Sequence, residues 1–361
     1  MEIGKKDNIT IIGCGGFIGS HLLDRLLSCG AGHLYGIDLA SEKIAHHLGN
    51  SRLTFIRCDI HDIATVRRYI AQSSTVVLLA ALCNPSQYNT RTLDVIDVNC
   101  IDTIPIVRAC AEQGVRLVYF STCEVYGRTM ASLTGRDDDR RQYLLREDES
   151  PFILGAVSAL RWSYACAKQL IERVIDAFGR ERHLNYTIVR PFNFIGPAMD
   201  FLPGVNGEGL PRVLACFLSA LMSGTPLKLV DGGRNRRCFT AIDDAIDACM
   251  RILERPDECR NQIFNIGNPA NETTIADLAE AMIRIWHRLA PLDDRPVSVK
   301  EVTAAEFYGQ GYEDSDRRVP DIGKAQRLLG WQPVVGLDNA LESTMAAAID
   351  RYGFRANPAK G

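Results

Sequence analysis

The chain has 361 residues, 46% of them apolar and 24% charged, with a formal net charge of −3. That size and apolar share suit one large or two modest globular units with a substantial core. The near-neutral balance points to neither a nucleic-acid nor a membrane partner, although a local arginine cluster can still receive an anionic substrate.

No segment approaches the roughly 20 apolar residues of a membrane-spanning helix. The stretch "MEIGKKDNITIIG" lacks the apolar run of a signal peptide. The twelve cysteines are scattered with no CxxC pair, and several (Cys110, Cys216, Cys249) sit inside apolar runs, so a reduced, cytoplasmic protein is expected. The seven histidines show no metal-ligand spacing, and no metal is expected.

In chain order, "ITII" (9–12), "HLYGID" (33–38), "LTFIR" (53–57), "TVVLLA" (75–80), "RLVYF" (116–120) and "YTIVR" (186–190) are nearly continuous apolar runs. Such runs predict strands of a parallel sheet covered on both faces. Helical patterns such as "FIGSHLLDRLLSCG" and "LIERVIDAFG" lie between them. The expected fold is α/β, a Rossmann-type doubly wound parallel sheet with a smaller C-terminal substrate-binding domain. The expected division is 1–195 for a nucleotide-binding domain, with a return segment near 236–267, and 196–235 plus 268–355 for the smaller domain. Residues 128–160 read as a long insertion between a strand and a helix, and 198–211 as a Gly/Pro-rich loop.

"GCGGFIG" places Gly13, Gly16 and Gly19 after the first strand, with Phe17 and Ile18 opening a helix. Without side chains the backbone can approach a pyrophosphate, whose charge sits at the helix N-terminus. Asp38 ends the second strand nineteen residues past Gly19. A carboxylate there accepts hydrogen bonds from a ribose and repels a 2′-phosphate, which favours NAD over NADP. Asp59 and Ile60 would lie near the adenine, and Ala80 and Ala81 near the nicotinamide half.

"WSYACAKQLIE" sets Tyr164 and Lys168 four apart on one helix face, downstream of the "STCEVYG" strand end. A phenol of ordinary pKa about 10 is a weak base at neutral pH, and a nearby ammonium favours its anion.

With these motifs, "RPFNFIGP" and "GGRNRRCFTAIDDAIDA", nearly the whole chain resembles the extended short-chain dehydrogenase/reductase family of nucleotide-sugar epimerases, dehydratases and decarboxylases. The resemblance implies a hydride-transfer triad of Thr122, Tyr164 and Lys168, with Asn99 completing the network. The chain resembles the branch acting on UDP-glucuronic acid, looking very much like the plant UDP-apiose/UDP-xylose synthases and, less so, like the bacterial 4-amino-arabinose decarboxylases. That branch implies a lyase that oxidises C4 of the sugar, after which the β-keto acid loses CO₂.

By the same resemblance, Glu124 lies near the reacting carbons and Arg318 is associated with decarboxylation. Arg161, Tyr88 and Asn193 line the sugar and nucleotide pocket, and Arg237 meets the diphosphate. Cys83 in "LCNPSQYN" and Cys123 before Glu124 match the two cysteines of the apiose-forming enzymes, but both also suit buried, inert thiols. Cys238 departs from the Thr or Ser common in relatives. A homodimer through helices near 92–112 and 162–178 is implied as well. Formation of UDP-xylose or its 4-ketone alone, 4-epimerisation, dehydration, and a non-catalytic NAD-sensing module remain the competing readings.

Overall fold

The computed structural model describes residues 7–203, 210–308 and 313–352. Residues 1–6 and 353–355 of the expected domains, and 204–209 of the Gly/Pro-rich stretch, lie outside the described residues.

A seven-stranded sheet forms the larger layer: β1 (Ile9–Ile12), β2 (Leu34–Asp38), β3 (Leu53–Arg57), β4 (Thr75–Leu78), β5 (Arg116–Phe120), β6 (Tyr186–Pro191) and β7 (Gln262–Ile266). All pairings are parallel, in the order β7-β6-β5-β4-β1-β2-β3. The sheet is doubly wound, as its side chains show. Ile9 and Ile11 of β1 enter one core with α1 (Phe17–Ser28) and the helix Ile242–Glu254, whereas Ile12 enters the opposite core. That second core is closed by α2 (Ile63–Ile70), α3 (Thr103–Gln113) and α4 (Ser163–Arg182). Strand order reverses between β1 and β4, and ligands of doubly wound sheets settle in the crevice at that point.

A smaller layer packs helices Val213–Ser223, Ile275–Leu289 and Leu337–Tyr352 around a separate core that includes Phe217, Met282, Trp286 and Leu341. Beside it runs a four-stranded sheet in the order Glu272–Thr274, Arg236–Cys238, Arg317–Pro320, Leu144–Leu145. Thus the 128–160 insertion contributes two short helices (Met130–Thr134, Arg140–Tyr143) and an edge strand. Leu144 pairs with Val319, and burial of Leu144 and Leu145 supplies the order that the polar run "GRDDDRR" gives no sign of.

Candidate active site

The glycine turn is shaped by close approach. Gly13 has φ of +96°, and a Cβ there would stand 2.7 Å from the Ala80 amide nitrogen at the end of β4. A Cβ at Gly19 would overlap the Gly13 carbonyl oxygen. α1 begins at Gly16 with no side-chain cap, so its first amides point toward the crevice unclaimed by a capping side chain. The motif spacing missed Gly15, whose Cβ would overlap the Ala40 carbonyl oxygen and whose amide donates to Asp38 Oδ2 at 2.8 Å. Asp38 Oδ1 accepts from Ala40 N at 3.0 Å. The turn thus presents uncapped amides to a diphosphate and a fixed carboxylate to a ribose, and it fits a dinucleotide.

This turn opens into a cavity of about 1120 Å³ that runs to Arg237 and Tyr308 in the smaller layer. Every candidate cofactor, substrate or catalytic residue named from the sequence lines it except Asn99. Asn99 is fully buried behind the wall in a π-helical turn, donating to the Leu82 and Val95 carbonyls at 2.9 and 2.8 Å. It shapes the β4 exit loop rather than facing the cavity. Asp59 does line the cavity, but its carboxylate is held by His61, at 3.0 Å from the backbone amide and 2.6 Å from the ring.

The "STCEVYG" strand end folds into a 3₁₀ turn over Cys123–Tyr126, capped by Thr122, which accepts from Glu124 N at 3.1 Å. Tyr164 reaches the same place from α4. Its ring stacks on Tyr88 with centroids 4.9 Å apart, and the Tyr88 hydroxyl donates to the Cys83 carbonyl at 3.1 Å. Lys168, one turn on, donates to Phe120 O at 3.1 Å beneath the strand end.

Burial pushes the Tyr164 phenol well above its ordinary value; Cys83 and Glu124 add to this, and hydrogen bonding with Thr122 opposes it. Burial likewise pushes the Lys168 ammonium down to about 8, against the pull of Cys83 and Glu172. Desolvation, not the ammonium, therefore sets the phenol's acidity in this state, unlike the simple Tyr/Lys expectation. Both thiols are held up by burial as well. Arg318 and Arg237 only partly relieve Cys123, and Arg212 and Lys168 only partly relieve Cys83. Cys123 is buried, whereas Cys83 is enclosed deep in the fold and exposes its surface only to the cavity it lines.

Beyond Tyr164 lies a five-membered charge cluster. Glu124 accepts from Arg161 at 2.5 and 3.2 Å and from Arg318 at 3.2 Å. Asp314, which the sequence reading passed over, accepts from Arg161 and Arg318 through Oδ1 at 3.0 and 2.9 Å and from Arg237 through Oδ2 at 2.6 Å. Burial raises the Glu124 carboxyl, but Arg161 and Arg318 outweigh it and hold the group at about 2. Arg237 is therefore tied into the same cluster as Arg161 and Arg318. Asn193, in a left-handed conformation with φ of 42°, donates to the Cys238 carbonyl at 3.0 Å. Cys238 itself is fully buried, and nothing in the structure explains its choice over Thr or Ser.

Elsewhere, Asp24, His46 and His47 meet within 4.8 Å, a grouping that linear spacing did not anticipate. Both histidines hydrogen-bond the same Asp24 oxygen, at 3.3 and 2.6 Å. Among the described residues no helix is long and apolar enough to cross a membrane.

Residues 9–267 match the NAD dependent epimerase/dehydratase family. The UDP-D-apiose/UDP-D-xylose synthase of Oryza sativa subsp. japonica is 47% identical over 95% of this chain and 89% of its own length. UDP-D-apiose/UDP-D-xylose synthase 1 of Arabidopsis thaliana is 46% identical over 93% and 90%. Among solved structures, the PbgP3 protein from Burkholderia pseudomallei superposes with a TM-score of 0.82 at 32% identity, covering 96% of this chain and 98% of that one. The UDP-glucuronic acid 4-epimerase of Bacillus cereus, solved with UDP-glucuronic acid and NAD, shares the fold with a TM-score of 0.77 at 23% identity, over 96% and 100% of the two chains. The chain belongs to the NAD dependent epimerase/dehydratase family and is an NAD-dependent nucleotide-sugar enzyme.

Proposed function

We propose that this enzyme oxidises and decarboxylates UDP-glucuronic acid through a UDP-4-keto sugar, giving UDP-apiose, UDP-xylose or both. The observation that carries this reading is the cluster beside Tyr164, where three buried guanidiniums face two carboxylates and give the cluster a net positive charge for an anionic substrate. In this reading Arg237 serves the diphosphate of any UDP-sugar, whereas a neutral hexose offers Arg161 and Arg318 no carboxylate to orient. The names of the plant relatives point the same way.

In this reading Gly13, Gly15, Gly16, Gly19 and Asp38 hold NAD, which accepts a hydride from the sugar and later returns it. Tyr164 takes the C4 hydroxyl proton, with Thr122 hydrogen-bonding the phenol and Lys168 fixing the strand end beneath. Arg161 and Arg318 orient the sugar carboxylate. The C5–C6 bond then breaks, its electron pair passes to the C4 ketone to give an enol, and CO₂ leaves. Both cysteines are protonated at neutral pH, so each can donate a proton during the ring contraction that apiose requires. The enzyme works as a homodimer, paired through the helices that carry Leu93, Ile101 and Leu170.

The test is incubation with NAD⁺ and UDP-glucuronate, following CO₂ and the nucleotide sugars formed. Absence of CO₂ sinks the decarboxylase reading, and CO₂ with UDP-xylose alone removes apiose synthesis. Cys123→Ser is expected to keep CO₂ release while losing apiose. Equal loss of both contradicts a proton-donating role for that thiol.

A further inference from the structure

Asp314 sits where the charge balance of the cluster is decided. Its two oxygens serve different ends of the pocket: Oδ1 binds Arg161 and Arg318 beside the sugar, and Oδ2 binds Arg237 farther along. The Ser315 amide also donates to Oδ1, at 2.8 Å, so the carboxylate is fixed by backbone as well as side chains. All three arginine side chains are nearly buried, exposed by 4%, 2% and 10% respectively. A carboxylate shared three ways in this manner takes up guanidinium N–H groups that a substrate carboxylate would otherwise claim.

That competition matters because of how decarboxylation redistributes charge. Before the C5–C6 bond breaks, the negative charge is on the substrate carboxylate. Afterwards it is on the C4 oxygen beside Tyr164, and the leaving CO₂ is neutral. A guanidinium clamp on the carboxylate therefore stabilises the ground state more than the transition state and slows the step.

Building on the decarboxylase reading, we propose that Asp314 is a positioning residue that restrains Arg161 and Arg318, so that they orient the substrate carboxylate without gripping it against loss as CO₂. By the same count it leaves the five-residue cluster with one net positive charge, which favours an anionic substrate.

The test compares the full-length wild-type enzyme with Asp314→Asn and Asp314→Glu. In single turnovers with UDP-glucuronate, Asp314→Asn forms NADH at close to the wild-type rate but releases CO₂ roughly tenfold more slowly, about 1.4 kcal/mol in barrier. Its KM for UDP-glucuronate falls, its affinity for UDP-xylose is unchanged, and Asp314→Glu restores the ratio of CO₂ to NADH. If Asp314→Asn does not fold, Asp314→Ser carries the same readout. Parallel loss of NADH and CO₂ formation with a raised KM overturns the proposal and leaves Asp314 a structural brace. Absence of CO₂ from the wild-type enzyme instead refutes the decarboxylase reading, and is scored before the variants are compared.

Discussion

Glu124 keeps its charge far from bulk solvent only because Arg161 and Arg318 stand against it. Its carboxyl lies at about 2 in the folded chain against an ordinary 4.5. A depressed carboxyl contributes stability above its unfolded pKa and loses it as pH falls toward the folded one, an effect on the order of 3 kcal/mol at neutral pH. Urea unfolding should therefore show wild type well above Glu124→Gln at pH 7, with the gap shrinking by about 2 kcal/mol at pH 3. A gap independent of pH rejects the pairing as the source of the shift. At this scale the sequence was uneven in what it disclosed. Glu124, Arg161 and Arg318 were found through motifs, but Asp314 lies in the run "EDSDRR", where nothing separates it from Glu313 or Asp316. Its role exists only once three arginines distant in the chain converge on it. Gly15 was missed because G-x-x-G-x-x-G spacing selects 13, 16 and 19, although the doubled glycine in "GCGG" was an available signal.

Among the elements, α4 carries Tyr164 and Lys168, so what holds it in register matters to the chemistry. Ile171 and Ile175 bury its apolar face, each contributing roughly 1.5–3 kcal/mol. Glu172 of α4 also binds Arg190 of β6 through both oxygens, at 3.0 and 2.6 Å, and Arg190 donates to the Tyr126 hydroxyl at 2.8 Å. Tyr126 in turn donates to Asn265 of β7 at 2.8 Å, and Asn265 donates to the Leu145 carbonyl at 2.9 Å. One buried network thus ties α4, the Cys123–Tyr126 turn, two strands and the insertion. Glu172→Ala leaves a guanidinium unpaired at 2% exposure, and a loss of about 3–5 kcal/mol is expected by denaturant titration. The double variant Glu172→Leu with Arg190→Met should recover much of it; a single variant costing under about 1 kcal/mol contradicts the network's weight. Six of the seven sheet strands were legible as apolar runs because both faces of a parallel sheet are covered. The seventh, "QIFNI", mixes polar with apolar residues and was anticipated only as part of a return segment. The edge strand Leu144–Leu145 was invisible, since two leucines in a charged insertion acquire strand character only from Val319 and Pro320.

For the whole molecule, two cores meet across the cavity, and Phe17 packs against both from the first turn of α1. The cofactor turn and the sugar-side arginines thereby share a single framework, and the outer surface is left to settle assembly. Leu93 is 75% exposed, and Ile101 and Leu170 are each 52% exposed, on helical segments that pack against one another. Exposed leucines and isoleucines grouped in this way favour a partner surface over solvent. The helices involved are those in which the family resemblance placed a homodimer, and in the proposed dimer a second copy of this chain would cover them in a symmetric contact. Light scattering at micromolar concentration should then give twice the 40.0 kDa chain mass. Leu93→Glu combined with Leu170→Glu introduces facing carboxylates at that contact and should yield monomer, while NAD⁺ still raises the Tm because the glycine turn lies elsewhere. A wild-type mass equal to one chain removes the dimer. A variant that remains dimeric moves the contact to another face.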